Sequence, residues 1–202
     1  MPRVFLSFRK RDSRWMRERV YRALSDRLGA EEIFKSSESI PPGADFAEVL
    51  VNQAAECKLM CVLIGPEWLD ARNEDGVRLL DRDHDWVRRE IATALRAGNR
   101  VVPVLLGDAT MLPGPSELPV EIAELGRLQC LRVPETHLPD GLEQLGDALT
   151  ALLTGAATDS ATGPGPGTAP AGEPGPPTTM TAHVSGGGSA YQAARDQTIN
   201  LT

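Results

Sequence analysis

Glu90 and Trp86 are the residues from which chemistry can be built. They stand four positions apart in Asp85-Trp86-Val87-Arg88-Arg89-Glu90-Ile91, so on a helix both project from one side. The apolar stripe of that helix is Val87, Ile91, Ala94 and Leu95. Glu90 is offset from it, towards the N-terminal turns, where the helix dipole favours an acid. A single carboxylate set in a pocket can stabilise a positive charge that develops beside it. Two bland readings compete. A charged helix residue is usually solvated, and a Trp at a helix start usually packs on the core rather than stacking on a flat ligand. Arg9, Lys10, Arg11, Arg14, Arg17, Arg19, Arg22 and Arg27 form a basic run that reads as a solvated helix face. Asp81, Asp83, His84 and Asp85 read as a polar capping loop before a metal site.

These residues need a scaffold, and the hydropathy pattern supplies one. Val4–Phe8, Glu32–Phe34, Leu59–Ile64, Val101–Leu106 and Leu128–Val133 are strand candidates; the third is apolar throughout, as a central parallel strand is. Asp12-Ser13 has the look of a helix cap before Met16, Val20, Leu24 and Leu28, with Gly29 as the stop. Asp45 caps a second helix and Asp85 a third, closed by Gly98; a short helix near Val120–Leu125 and a last one over Gly141–Leu153 follow. Glu67–His84 is a long polar connection. The alternation predicts an α/β fold, an open parallel sheet covered by helices on both faces. In such sheets ligands bind at the strand carboxyl ends, the edge that Phe8, Arg9 and the start of the Glu90 helix share.

Composition narrows the classes. The chain has 202 residues and a formal charge of −7, of which residues 155–202 carry −2; an acidic balance disfavours nucleic acid as a partner. Three Cys (Cys57, Cys61, Cys130) without CxxC spacing, and three His, argue against a disulfide scaffold or zinc site. Cys57 and Cys61 read as small core residues. No apolar run reaches the roughly 18–20 residues of a membrane span, and the N-terminal apolar stretch is too short for a secretory signal. The expected location is the cytoplasm, without membrane attachment. No GxGxxG follows the first strand and no GxxxxGK[ST] is present, so the chain does not read as a Rossmann dehydrogenase or a P-loop enzyme.

In order along residues 1–154, Val4-Phe5-Leu6-Ser7-Phe8-Arg9, Ile33-Phe34, Ser39-Ile40-Pro41-Pro42-Gly43-Ala44-Asp45-Phe46, Val62-Leu63-Ile64-Gly65-Pro66, Asp85–Ile91 and Val101-Val102-Pro103-Val104-Leu105 resemble a bacterial Toll/interleukin-1 receptor (TIR) domain. The resemblance implies a flavodoxin-like five-stranded parallel sheet of order 2-1-3-4-5. It implies that Lys35–Ala44 is the BB loop, which contacts neighbouring copies in a homo-oligomer. Many members with a Trp-x-x-x-Glu helix hydrolyse NAD+ at the nicotinamide–ribose bond. Carried to this chain, Glu90 is the catalytic carboxylate, Trp86 stacks on nicotinamide, Phe8 lines the pocket, and Arg9 and Lys10 face the pyrophosphate. Glu38 and Gly43 lie in the loop that reaches a ligand held by the adjacent copy. NAD+ is then a substrate, with no cofactor and no metal. The expected role is a self-assembling NAD+ glycohydrolase of bacterial immune signalling; the alternatives are a non-catalytic TIR adaptor and a producer of a cyclic ADP-ribose-type signal.

Residues 155–189 hold 9 Gly and 6 Pro and few large apolar side chains, so they read as a disordered linker that cannot offset its ordering entropy. Residues 190–202 contain no Gly or Pro. Alternation puts Tyr191, Ala193, Gln197, Ile199 and Leu201 on one side of an extended strand, with Arg195 between them. Tyr191–Ile199 resembles RHIM-like amyloid signalling motifs, with Ala194 and Gln197 where the pattern has Gly and Asn. The resemblance implies a self-templating tail and an upstream sensor bearing a matching motif. The competing reading is a frayed terminus.

Overall fold

The computed structural model describes residues 2–36, 39–40, 42–107 and 111–155. Five parallel strands form one sheet: β1 (Val4–Phe8), β2 (Ile33–Lys35), β3 (Leu59–Ile64), β4 (Arg100–Leu106) and β5 (Leu131–Val133), in the order β2-β1-β3-β4-β5. The expected flavodoxin-like order is therefore the observed one. Val4 pairs with Ile33 on one side and Leu59 on the other, and Phe8 with Leu63. The chain leaves β1 for one neighbour and later returns to the other, so the order reverses beside β1. In an open α/β sheet that reversal opens a crevice at the carboxyl ends of the strands.

Strand alternation divides the core into two layers. Val4, Leu6 and Phe8 join Met16, Val20 and Leu24 of α1 (Arg14–Leu28) and Leu145 and Leu149 of α4 (Leu138–Thr154). Phe5, Val62 and Ile64 face the other way, onto Leu50 and Ala54 of α2 (Phe46–Glu56) and Val87, Ile91 and Ala94 of α3 (Trp86–Arg96). A 3-10 helix over Val120–Arg127 adds Ile122 and Leu125 to that second layer. Cys57 and Cys61 are buried core residues.

Several elements depart from the sequence expectations. Lys35 belongs to β2, paired with Leu6, rather than to the loop after it; its ammonium lies over the Tyr21 ring and 3.1 Å from Glu18. β5 is confined to Leu131–Val133, and α4 begins at Leu138, three residues before the Gly that was expected to open it. The stretch 67–84 is not merely polar: Trp68 and Leu80 are fully buried and pin it to the second core layer. The basic run is not all solvated either, because Arg9 and Arg17 are buried. Arg17 places its guanidinium over the Phe8 ring, 4.1 Å from its centroid, a cation–π contact that lets a buried charge keep a partner.

Asp12-Ser13 also behaves differently from a helix cap. Ser13 sits at the cap position with φ 45° and no side-chain capping bond. Asp12 instead reaches across to β3, accepting hydrogen bonds from Gly65 N (2.9 Å) and Ser13 Oγ (3.1 Å). Burial lifts its carboxyl above the usual range, against those bonds. Gly65 is dictated by this contact, since a Cβ there would lie 2.3 Å from Asp12 Oδ1. The two loops flanking the crevice are tied together by one buried carboxylate. Asp45 and Asp85 do cap their helices, accepting from Glu48 N (3.0 Å) and Arg88 N (2.9 Å). No helix among the described residues is long and apolar enough to cross a membrane.

Candidate functional site

A cavity of about 990 Å³ opens at the carboxyl end of β1, at the upper end of the range for small-molecule sites. The end of β1 and the turn after it (Phe8 to Asp12) form one wall. The starts of α2 and α3 contribute Phe46, Asp85 and Trp86, the connection after β3 forms the opposite wall, and Ser36 and Glu90 complete the lining.

Glu90 is only 2% exposed, which removes the reading of a solvated helix acid. Its carboxyl is held by two hydroxyls: Ser7 Oγ donates to Oε2 at 2.5 Å, and Ser36 Oγ donates to Oε1. Ser7 lies on β1, on the same side as Phe5, and so meets α3; Ser36 follows β2 directly. Burial drives the Glu90 pKa up to about 7. The hydroxyls of Ser36 and Ser7 oppose that rise, Asp85 adds to it, and Arg9 counters it. An acid that is half ionised near neutrality, at the lining of a cavity, is a candidate for proton or charge chemistry.

Arg9 makes a bidentate ion pair with Asp85, Nη1 to Oδ2 at 2.6 Å and Nη2 to Oδ1 at 3.1 Å, with both side chains 7% exposed. Asp85 is also the α3 cap, so one carboxylate locks the helix start to the end of β1. Arg9 therefore lines the cavity with its guanidinium already engaged. Lys10 and Arg11 line the same wall and are exposed. Phe8 reaches the cavity lining, yet its ring packs into the α1–α4 layer beneath Arg17. Trp86 meets Phe46 edge to face, with centroids 4.9 Å apart, and Arg89 lies 4.6 Å from the Trp86 ring centroid. The two rings make an aromatic corner on the cavity.

Gly43 is exposed with φ 84° and does not line the cavity. Glu38, the linker beyond Gly155 and the C-terminal motif fall outside the described residues. The acidic cluster before α3 is consumed by ion pairs: Asp81 with Arg78, Asp83 with Arg88 and Asp85 with Arg9, while His84 Nε2 lies 2.5 Å from Arg82 Nη2. Among the described residues no group of three or more His, Cys, Asp or Glu is arranged to hold a metal ion.

Sequence reasoning passed over Ser7, Ser36 and Phe46 as site residues. Ser7 did carry a signal. A hydroxyl inside the apolar run Val4–Phe8 must find a partner if that strand is buried, and alternation sends it to the α3 side. For Ser36 and Phe46 no local pattern distinguishes them from ordinary loop and helix-start residues.

Residues 4–145 match the family described as the TIR domain. The TIR domains in the structure of the activated Roq1 resistosome directly recognising the pathogen effector XopQ superpose with a TM-score of 0.56. They are 13% identical, and the match covers 72% of this chain and 98% of that one. A metazoan TIR-STING receptor from C. gigas, in complex with 2',3'-cGAMP, gives a TM-score of 0.42 at 16% identity, over 72% of this chain and 40% of that one. None of the curated proteins compared with the chain matches it. The match spans the whole sheet and the cavity built on it, and this chain belongs to the TIR-domain family.

Proposed function

We propose that this protein cleaves NAD+ at the nicotinamide–ribose bond, with Glu90 as the catalytic residue. The observation that carries the reading is the Glu90 carboxyl, buried and hydroxyl-held at the lining of a cavity with room for a dinucleotide. Nicotinamide in NAD+ is already cationic, so it departs without a general acid. The C1'–N bond breaks and its electron pair stays on the pyridine nitrogen. The ribose develops oxocarbenium character. Ionised Glu90 stabilises that charge electrostatically and accepts hydrogen bonds from the ribose hydroxyls on lone pairs that the two serines leave free. Water then adds to C1' and releases a proton, giving ADP-ribose; attack by a nucleophile of the substrate's own adenine gives a cyclised product instead. NAD+ is consumed, not retained as a cofactor.

The aromatic corner of Trp86 and Phe46 suits the flat cationic ring, and binding of that cation favours the ionised form of Glu90. Since Arg89 lies over the Trp86 ring, the nicotinamide occupies the other face or displaces it. Lys10 and Arg11 are the exposed cations at the mouth for the pyrophosphate, while Arg9 acts through Asp85. We further propose that activity rises on self-assembly, through the loop between β2 and α2 and through the C-terminal motif in residues 190–202, as part of an immune response in a bacterial cytoplasm.

The test is NAD+ turnover by the purified full chain at high concentration, beside Glu90→Ala, with products separated by chromatography. Loss of NAD+ with wild type alone supports the reading. Equal turnover in Glu90→Ala, or none by wild type at any concentration, removes it and leaves a non-catalytic adaptor that acts through TIR–TIR contacts. Thioflavin binding by a peptide of residues 189–202 checks the assembly element separately; a peptide that never forms fibres withdraws it.

A further inference from the structure

Each oxygen of the Glu90 carboxyl is held by its own hydroxyl, one from β1 and the other from the residue that follows β2. Ser7 projects from β1 at a position where every other residue of the strand is apolar. Its neighbour across the sheet is Val62 of β3. Ser36 arrives from the other direction, immediately after β2. Both are buried, Ser7 fully and Ser36 to 5%. A buried hydroxyl in apolar surroundings costs free energy unless it is paired, and in both serines the side-chain partner is the same acid.

We propose that Ser7 and Ser36 are positioning residues: they hold the Glu90 carboxylate, one on each oxygen, in the orientation and charge state that the chemistry at this site uses. The proposal rests on the role given to Glu90 above and extends it to two residues that no substrate need touch.

The argument follows from what a hydroxyl can do on each side of the ionisation. Two O–H groups donating to a carboxylate stabilise the anion. Once the acid is protonated, one contact has to reverse: the carboxyl O–H donates, and that serine must accept and turn its own proton elsewhere. The pair therefore favours the ionised form and fixes the plane of the carboxylate. Two charged side chains also act on Glu90. Asp85 opposes ionisation and Arg9 supports it, and since they are locked to each other, their effects largely offset. The other elements packed around α3 turn apolar groups inward: Leu50 and Ala54 from α2, Val62 and Ile64 from β3, Ile122 and Leu125 from the 3-10 helix. The serines are thus the main groups set against the desolvation of the acid.

The experiment follows the Glu90 carboxyl carbon by NMR against pH in full chain labelled at glutamate side chains, with Glu90→Gln to identify the signal. No NAD+ is required, so the result stands whether or not the chain turns it over. In Ser7→Ala and Ser36→Ala the titration midpoint should move upward by about one pH unit, a tenfold change in the ionisation equilibrium. Ser36→Thr, which keeps the hydroxyl, should stay within a few tenths. If NAD+ is cleaved, the rising limb of the pH–rate profile should move with the midpoint. The loss in kcat at pH 7 should then shrink at pH 9, with KM nearly constant. Should Ser7→Ala lose its native near-UV spectrum, Ser7→Cys, close in size and a weak donor, replaces it under the same criterion. A midpoint that stays or falls in both alanine variants overturns the proposal; a shift in one alone withdraws it for the other. Normal titrations in wild type and variants without any NAD+ loss would sink the glycohydrolase reading and leave the positioning role intact.

Discussion

On one side of β1, Val4, Leu6 and Phe8 meet the apolar stripes of α1 and α4; on the other, Phe5 is followed by Ser7, and opposite Ser7 lies Glu90. Both layers belong to one sheet and are equally well buried. The α1–α4 layer gains stability from the apolar side chains it hides, and its buried Arg17 lies over the Phe8 ring. The α2–α3 layer hides an acid whose burial is unfavourable enough to lift its pKa to about 7. The difference teaches where the molecule accepts a stability cost: beside the strand where the order reverses, at the carboxyl edge, under the cavity. Strain or desolvation retained at one place in an otherwise consistent fold is the pattern of a functional site.

The sharpest way to break this comparison is to remove the acid. Glu90→Ala should lower NAD+ cleavage by at least about a hundredfold, the scale of losing one preorganised charge-stabilising group, with the circular dichroism spectrum unchanged. Next in size is the ion pair that locks α3 to β1. Arg9→Ala strands a buried Asp85, and the expected loss is roughly 3–5 kcal/mol of unfolding free energy in urea titrations. Adding Asp85→Asn should return part of that loss, because the orphaned charge goes with it. If Arg9→Ala costs no more than an exposed arginine would, Arg9 is free for a ligand after all, and the wall of the cavity is more cationic than its Arg9–Asp85 pairing implies.

Leu6→Ala tests the other layer. Deleting a buried leucine side chain should cost about 2–5 kcal/mol through lost burial and the void left behind, and the cost should be flat with pH between 4 and 8. A pH-dependent penalty would mean that the two layers are coupled through β1, which would dissolve the contrast between them.

Much of this division was legible in the sequence. The all-apolar β3, the stop at Gly29 and the caps Asp45 and Asp85 identify the parallel α/β plan, because each is a local rule that the fold obeys. Helical periodicity puts Trp86 and Glu90 on one side of α3, but on spacing alone the acid reads as solvated; only the family resemblance singles it out. What escaped is non-local. Asp12 reads as a cap because Asp-Ser before an apolar stripe ordinarily is one; that it bonds Gly65 depends on β3 lying beside β1. Arg9 reads as free because its partner is 76 residues away. Trp68 and Leu80 sit in a stretch dominated by charged and turn-forming residues, so composition hides that their side chains enter the core. The Ser36 hydroxyl is invisible because its meaning exists only once β2 and α3 have been brought to β1.

Glu90→Gln joins the two layers in one measurement. The unfolded glutamate ionises near the usual 4.5 and the folded one at about 7. Between those values the folded state keeps a proton that the unfolded state has released, so stability falls as pH rises through the window and stays low above it. Glutamine has nearly the same shape and no charge, and its amide can meet the two serines as the protonated acid does, one hydroxyl accepting and one donating. The substitution should therefore be close to neutral at pH 4. It should stabilise the protein at pH 8 by an amount on the order of 3 kcal/mol, read as a rise in Tm over wild type that appears only on the alkaline side. The same variant should be inactive, since an amide offers no negative charge to the ribose. A variant that gains stability and loses turnover, with the gain following the titration of one side chain, would place the cost and the chemistry on the same atoms. A Tm difference that is constant from pH 4 to pH 8 would show that Glu90 titrates in the folded protein as it does in the unfolded chain, and the contrast between the two faces of the sheet would then need another cause.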